Sequence, residues 1–286
     1  MPTADHPPAM PTADAARSLH ADARGHFIGS LGFRYELDEG GGARGSTELT
    51  THLRTAGTAW PNVSALLTFA DILIGVLASR RTAPRISITS DLSVRVFAPV
   101  PADGAVEMTG RLVKTGRSVS VGETECRSST DGTLVARALG TFIASPRPAD
   151  EAPDGVPALP ERFQVEPQPL SEPFPDRVGL QVVEPGVTEM PLRLDLMNAT
   201  ESLQGGLVAL LGEVAAQTGA TAAAGRLHVV DHLDVRYLAA ARVGPFRAVA
   251  EVEAGDGSRS DVRVEIRDPG RDNRLAALVL ATTRSA

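Results

Sequence analysis

The fold is decided by two apolar stretches that each end in one acid, Leu66-Leu67-Thr68-Phe69-Ala70-Asp71 and Val208-Ala209-Leu210-Leu211-Gly212-Glu213. They lie within longer runs of helical length, 62–79 and 204–220, in which Asp71 and Glu213 are the only charged residues. A helix that is apolar on all sides is normally buried. The sequence therefore predicts two buried helices, each of which carries a single carboxylate.

The two stretches belong to halves with the same order of elements. Each half shows two short strand signals, the apolar helix and then four strand-like runs with alternating or β-branched residues. After the helix, Leu92-Ser93-Val94-Arg95 matches Leu233-Asp234-Val235-Arg236. This self-similarity predicts an internal duplication. The strands expected are Leu31–Tyr35, Thr47–Leu53, Ile86–Val96, Ala105–Val113, Ser118–Arg127 and Leu134–Ala144 in the first half, and Val178–Val182, Met190–Leu196, Leu227–Leu238, Phe246–Ala254, Asp261–Arg267 and Leu275–Thr283 in the second.

A proline-rich segment separates the halves. Nine of the 21 prolines fall between Pro146 and Pro175, a density that disfavours helices and central strands. The sequence thus predicts a disordered tail at 1–24, a domain at 25–145, a linker at 146–175 and a second domain at 176–286.

Composition excludes several classes of protein. The 286 residues are 42% hydrophobic, which is enough for a packed core, and the net charge of −7 argues against a nucleic-acid partner. The single Cys126 cannot form an internal disulfide, and no Cys/His cluster predicts a metal site. We also find no export signal and no stretch of 18 uncharged apolar residues. These features favour a cytoplasmic protein with no membrane partner and no cofactor.

The two lone acids are the first candidates for chemistry. A buried carboxylate is costly unless it is paired, hydrogen-bonded or neutralised, and burial raises its pKa. A carboxyl group with a raised pKa suits a general base or a nucleophile that works near neutral pH. The structural alternative is a carboxylate that is tied to an arginine or that caps a helix. The repeat of the feature in both halves favours the functional interpretation.

The second helix begins at two glycines, Gly205 and Gly206. Adjacent glycines at a helix start expose backbone N–H groups to a close ligand, and the helix dipole favours an anion there. These are the requirements of an oxyanion hole. The alternative is that the glycines only allow the helix to pack tightly.

Asn198, the run Gln204-Gly205-Gly206 and Glu213 together suggest a family. Their order and spacing resemble those of hot-dog-fold acyl-CoA thioesterases of the PaaI and 4-hydroxybenzoyl-CoA thioesterase type. The resemblance covers both halves and implies an α+β fold, a double hot-dog in which each long central helix is wrapped by an antiparallel sheet. Gln204 departs from the family pattern by replacing the usual histidine.

The resemblance also implies how the site is shared. In hot-dog pairs the acid of one domain meets the helix start of the other, so Asp71 would face Asn198, Gln204, Gly205 and Gly206. Asp71, Asn198, Gly206 and Glu213 are then the catalytic candidates, and the substrate-binding candidates are Gln204, Gly205, Asn62 and Ser64. The counterpart site pairs Glu213 with Asn62, Val63 and Ser64, where the glycines are missing. We therefore expect one working site, with Asp71 as its acid.

The implied activity is hydrolysis of an acyl thioester of CoA or of an acyl carrier protein, without metal or redox cofactor. A catalytically silent hot-dog module that binds acyl-CoA or assembles with a partner is the alternative. A hot-dog hydratase is less favoured because neither long helix pairs a histidine with its acid. A homodimer of two such chains is compatible with the sequence.

Overall fold

The computed structural model describes residues 26–100, 104–148, 162–163, 170–198 and 200–286. The predicted disordered tail at 1–24 lies outside these residues, as does most of the predicted linker. Within the linker, Arg162–Phe163 forms a short strand, and a helical turn begins at Phe174, just before the predicted domain boundary.

The described chain forms one antiparallel sheet with two long helices. The helices are α1 Phe27–Ser30, α2 Val63–Thr82, α3 Phe174–Arg177 and α4 Gly205–Ala224. The strands are β1 Arg34–Leu37, β2 Ala43–Glu48, β3 Arg85–Val96, β4 Ala105–Thr115, β5 Val119–Ser128, β6 Leu134–Pro148, β7 Arg162–Phe163, β8 Gln181–Glu184, β9 Val187–Met190, β10 His228–Tyr237, β11 Phe246–Gly255, β12 Arg259–Asp268 and β13 Arg274–Ser285. Their order in the 13-stranded sheet is β7-β1-β2-β4-β5-β6-β3-β10-β13-β12-β11-β9-β8.

The strand order repeats the duplication seen in the sequence. The first half runs β1-β2-β4-β5-β6-β3 and the second β8-β9-β11-β12-β13-β10, and the halves meet where β3 pairs with β10. At this junction Ser93 lies opposite Asp234, and Leu92 and Val94 lie opposite Val235 and Leu233. Because the sequence match equates Leu92 with Leu233, a local two-fold relation passes through the Ser93–Asp234 pair.

β-bulges at equivalent positions fix the internal alignment. The ladder between β3 and β6 is interrupted between Thr89 and Asp91, and that between β10 and β13 between Val230 and His232. The same offset that equates Leu92 with Leu233 also equates Thr89 with Val230. A bulge bends its strand locally, so conserving it in both halves keeps the two junction strands alike.

The two long helices are largely buried and pack against the sheet. Helix α2 packs on β2–β6, helix α4 packs on β9–β13, and the two helices contact each other. By length and composition either helix could cross a membrane, but 78% and 61% of their most apolar windows are buried inside this protein. Both therefore have the burial of core helices, as their lack of an exposed polar face predicts.

The two long helices are in close contact at Gly206. A Cβ atom on this residue would lie 2.7 Å from the Cβ of Thr68 on α2 and closer still to its hydroxyl group. The Thr68 hydroxyl is itself fixed, because it donates to the Ser64 carbonyl over 2.8 Å. Only glycine at position 206 permits this helix separation.

The second strand of each half differs from its sequence prediction. Strands were expected at Thr47–Leu53 and Met190–Leu196, but the ladders lie earlier, at β2 and β9, and short 3-10 turns follow them. The physical reason is the tight turn before each strand. In the first half the Asp38 side chain accepts the Gly42 N–H over 2.7 Å, so the hairpin closes within the glycine run.

Replacing Gly206 with alanine should lower the free energy of unfolding by about 2 kcal/mol or more, because the added methyl group overpacks the helix contact. Chemical denaturation measures this change. Gly75→Ala is the matched control, since its methyl group would meet only the Phe142 ring, at 3.2 Å. Equal stability of the two variants would contradict the close helix contact.

Candidate functional site

Asp71 lies in the middle of α2 and faces the start of α4. Its Oδ1 accepts a hydrogen bond from the Thr89 hydroxyl at 2.9 Å, and its Oδ2 accepts one from the Gln204 side-chain amide at 3.2 Å. Burial raises the pKa of Asp71 from 3.8 to about 6, although the Thr89 hydrogen bond acts in the opposite direction. A carboxylate with a pKa near 6 is ionised at neutral pH and still accepts a proton readily.

Gln204 links Asp71 to the backbone of α4. It is the N-cap residue of this helix, and its side-chain oxygen accepts the Gly206 N–H over 2.6 Å. The nitrogen of the same amide then points to Asp71. Both contacts fix the orientation of the amide, because the reverse orientation would place two donors against each other.

Gly205, the first residue of α4, lies between Asp71 and Tyr237. A Cβ atom here would stand 3.4 Å from Asp71 Oδ2 and 3.3 Å from the Tyr237 hydroxyl oxygen. Among the residues that the structure describes, the Gly205 N–H has no hydrogen-bond partner, whereas the Gly206 N–H is occupied by Gln204. The free donor of the predicted oxyanion hole is thus Gly205.

Glu213 forms the reciprocal contact in the other half. Its two carboxylate oxygens accept the N–H groups of Val63 and Ser64, at 2.7 and 2.8 Å, where α2 begins. The residue is only 1% exposed. Burial raises the pKa of Glu213, and the hydrogen-bond donors of Ser64 and Val63 act in the opposite direction. Glu213 thereby caps the partner helix, as the structural alternative for a buried acid requires.

Two side-chain oxygen atoms lie buried beside the Glu213 contact. Asn62 is the N-cap residue of α2 but makes no side-chain capping bond. Asn62 Oδ1 and Ser64 Oγ are both buried without a hydrogen-bond partner among the described residues. Glu213 therefore contacts Val63 and Ser64 but makes no hydrogen bond with Asn62 among the described residues, and its carboxylate has taken the role of the cap.

The lengths of the two acids distinguish the two contacts. Glutamate has one more methylene group than aspartate, and Glu213 reaches the N–H groups of the opposite helix directly. Asp71 ends at the side chain of Gln204 instead and leaves the Gly205 N–H open. One contact is filled by its own carboxylate, and the other keeps a donor for a ligand.

No hydrogen bond between described residues joins Asn198 to Asp71. Its side-chain oxygen accepts from the backbone and hydroxyl groups of Thr200 and Ser202, at 2.8 to 3.2 Å. These bonds close the loop that precedes α4. Asn198 shapes the approach to Gln204, and its role with substrate stays a prediction.

Two residues that sequence reasoning missed complete the surroundings of Asp71. Thr89 donates to Asp71, and the Tyr237 hydroxyl donates to the Gly205 carbonyl at 2.9 Å. A comparison of matched positions in the two halves could have identified Thr89 and Tyr237. Their equivalents in the other half are Val230 and Val96, so both are polar substitutions at internally matched positions.

In the described part of the chain, no group of three or more His, Cys, Asp or Glu side chains could hold a metal ion. His228, a buried histidine of β10, is bonded to the Thr283 hydroxyl and the Gly257 carbonyl. Cys126 is buried, and burial raises its pKa to about 12, so it has little thiolate character.

Comparison with known proteins connects this arrangement to a family. Residues 3–141 match the family model of the acyl-CoA thioesterase C-terminal domain. Just under half of the chain is therefore similar to this acyl-CoA thioesterase family. A search of curated proteins found no match.

Solved structures agree with this hot-dog fold over nearly the whole chain. The TesB protein of Mycobacterium avium subsp. paratuberculosis has a TM-score of 0.59 at 16% identity, covering 91% of this chain and 97% of its own. The acyl-CoA thioesterase II TesB2 of Mycobacterium marinum has a TM-score of 0.52 at 13% identity, with 88% and 95% covered. The 12:0-ACP thioesterase of Umbellularia californica has a TM-score of 0.55 at 13% identity, with 87% and 99% covered. At these identities the similarity concerns the fold.

Glu213→Gln should lower the free energy of unfolding at pH 7 by about 2 kcal/mol, because the new amide nitrogen would face a backbone N–H group inside the core. Thermal or urea denaturation measures the loss. The exposed Glu251 provides a control for the same chemical change, Glu251→Gln. If both variants were as stable as the wild-type protein, Glu213 would not be the cap of α2.

Proposed function

We propose that this hot-dog protein is an acyl thioesterase that hydrolyses acyl-CoA at a single site between its two halves. The observation that carries the proposal is Asp71, held by Thr89 and Gln204 beside the unoccupied N–H of Gly205. In this proposal the chain is a double hot-dog whose first half supplies the base, while its second half supplies the oxyanion donor.

The reaction begins with a water molecule next to Asp71. As the water oxygen attacks the thioester carbonyl carbon, Asp71 takes the proton that the water loses. The carbonyl oxygen becomes an oxyanion and is stabilised by the Gly205 N–H and by the dipole at the start of α4. Collapse of the intermediate breaks the C–S bond, and the thiol leaves with the proton from Asp71. The products are a carboxylic acid and a free thiol.

Gln204 orients two partners in this reaction. Its nitrogen holds Asp71 Oδ2, and its oxygen holds the Gly206 N–H. The histidine expected at this position in the family would introduce a titrating group, whereas glutamine keeps the same reach without a charge. Gly206 thus acts through Gln204, and Gly205 is the donor to the oxyanion.

The second contact is silent in this proposal. Glu213 occupies both N–H groups that would otherwise receive the oxyanion, and its carboxylate is buried. A thioester carbonyl would find the N–H groups of Val63 and Ser64 already occupied there. Glu213, Asn62 and Ser64 are accordingly structural residues of the helix contact.

The same geometry supports an acyl thioester as the proposed substrate class. A thioester carbonyl bound at Gly205 needs no metal ion, because the helix N-terminus already stabilises the developing charge. Similar structures include an acyl-CoA thioesterase and a 12:0-ACP thioesterase, which differ in the thiol carrier of the acyl group. Both halves of the site come from one chain, so activity does not require a homodimer. The formation of a homodimer stays a prediction.

Asp71→Asn should reduce thiol release from acyl-CoA by about 10²-fold or more, because an amide cannot accept the proton from water. A coloured thiol reagent follows the reaction across a panel of acyl-CoAs of different length. In the wild-type protein, kcat/KM should rise with pH through about 6 as Asp71 ionises, and then level off. The Asp71→Asn variant should lose this dependence.

Two results would contradict the proposal. Full activity in Asp71→Asn would remove the proposed base. Binding of acyl-CoA without turnover of any substrate, including acyl carrier protein thioesters, would favour the catalytically silent hot-dog module.

Asp71→Glu tests whether the shorter acid keeps the site open. A glutamate at this position should extend toward the Gly205 N–H and fill it, as Glu213 does at Val63 and Ser64. We expect activity to fall by about 10²-fold while the fold and the carboxylate are retained. Circular dichroism and the same thiol assay check both points. Activity equal to that of the wild-type protein would show that acid length does not control the site.

A further inference from the structure

Tyr237 contacts the start of α4 from the end of β10. Its hydroxyl donates to the Gly205 carbonyl at 2.9 Å. This carbonyl and the Gly206 N–H belong to the same peptide group, and the N–H is bound by the Gln204 side-chain oxygen at 2.6 Å. Side chains therefore hold both ends of the peptide that joins the two glycines.

The peptide needs this support because both of its residues are glycines. Glycine has no Cβ and rotates more freely than other residues, so a helix that begins with two of them is poorly fixed at its first turn. The matching helix α2 begins with Val63 and Ser64, whose side chains restrict the backbone. At the position equivalent to Tyr237 the first half has Val96, which has no hydroxyl group.

The held peptide is one part of a continuous hydrogen-bond network. From Tyr237 the network passes through the peptide to Gln204, from Gln204 to Asp71 and from Asp71 to Thr89. Donation to a carbonyl also polarises the N–H of the same peptide and strengthens the next bond. Burial and the nearby Asp71 and Asp91 carboxylates raise the pKa of Tyr237, which keeps its proton on the hydroxyl for donation.

We infer that Tyr237 is a positioning residue of the Asp71 site, which holds the Gly205–Gly206 peptide so that Gln204 and the Gly205 N–H stay aligned with the base. The inference rests on the proposed thioesterase function. Tyr237 holds the peptide that follows the Gly205 N–H, so it orients this donor indirectly, through the Gly205 backbone, and it takes no proton itself.

Tyr237→Phe tests the role, because it removes only the hydroxyl group. We expect kcat for acyl-CoA hydrolysis to fall at least about tenfold, since small misplacement of catalytic groups is costly, while KM changes by less than about threefold. Tyr35→Phe is the matched control, as Tyr35 is the other tyrosine of the chain and is buried in the first half. Its kcat should equal that of the wild-type protein.

Hydrogen exchange followed by mass spectrometry gives a second readout that needs no activity. Peptides that cover 203–210 should take up deuterium faster in Tyr237→Phe than in the wild-type protein, because the first turn of α4 is released. Tyr35→Phe should not change uptake in these peptides.

The outcomes separate this inference from the proposed function. Unchanged kcat in Tyr237→Phe, with Asp71→Asn inactive, would overturn the inference and leave the thioesterase proposal standing. A loss of kcat without faster exchange at 203–210 would also overturn it, because Tyr237 would then act by another route. If the wild-type protein hydrolyses no acyl thioester, the proposed function fails, and the positioning role fails with it.

Discussion

The structure depends on a reciprocal contact in which each long helix points its single acid at the first turn of the other helix. A helix start presents unsatisfied N–H groups and the positive end of the helix dipole, and a buried carboxylate needs hydrogen-bond donors. The contact between them meets both needs, so two helices that are otherwise apolar can pack in one core. Glu213 meets Val63 and Ser64 directly, whereas Asp71 meets α4 through Gln204. The glycines at the start of α4 let the helices approach closely enough for both contacts.

The duplication explains why one contact is structural and the other is available for chemistry. The two halves share strand order and bulge positions, so corresponding residues occupy corresponding places. Around Asp71, hydroxyl groups from Thr89 and Tyr237 replace valines of the other half. Glutamate in one contact stabilises the fold, and the shorter aspartate in the other leaves a donor free. The proposed function thereby assigns stability to the Glu213 contact and activity to the Asp71 contact.

Much of this arrangement could be predicted from sequence, and the features that could not be predicted have physical explanations. The lone acids in apolar helices predicted two buried helices, and the family resemblance predicted that Asp71 would face Gln204 and Gly205. The contribution of the Thr89 and Tyr237 hydroxyl groups could not be predicted, because Thr and Tyr occur on either face of a β-strand. The hydrogen bond of the Gly206 N–H could not be predicted either, because it depends on the side-chain rotamer of Gln204. Early strand boundaries were misplaced where glycine turns shortened the hairpins.

The central claim is that only the Asp71 contact receives the thioester. A crystal structure with an acyl-CoA analogue whose sulfur is replaced by a methylene group, and which therefore carries a ketone, tests this most directly. The account predicts one bound analogue per chain, with its ketone oxygen about 3 Å from the Gly205 nitrogen and its carbonyl carbon next to the Asp71 carboxylate. An analogue bound at Glu213, or bound equally at both helix starts, would contradict the account.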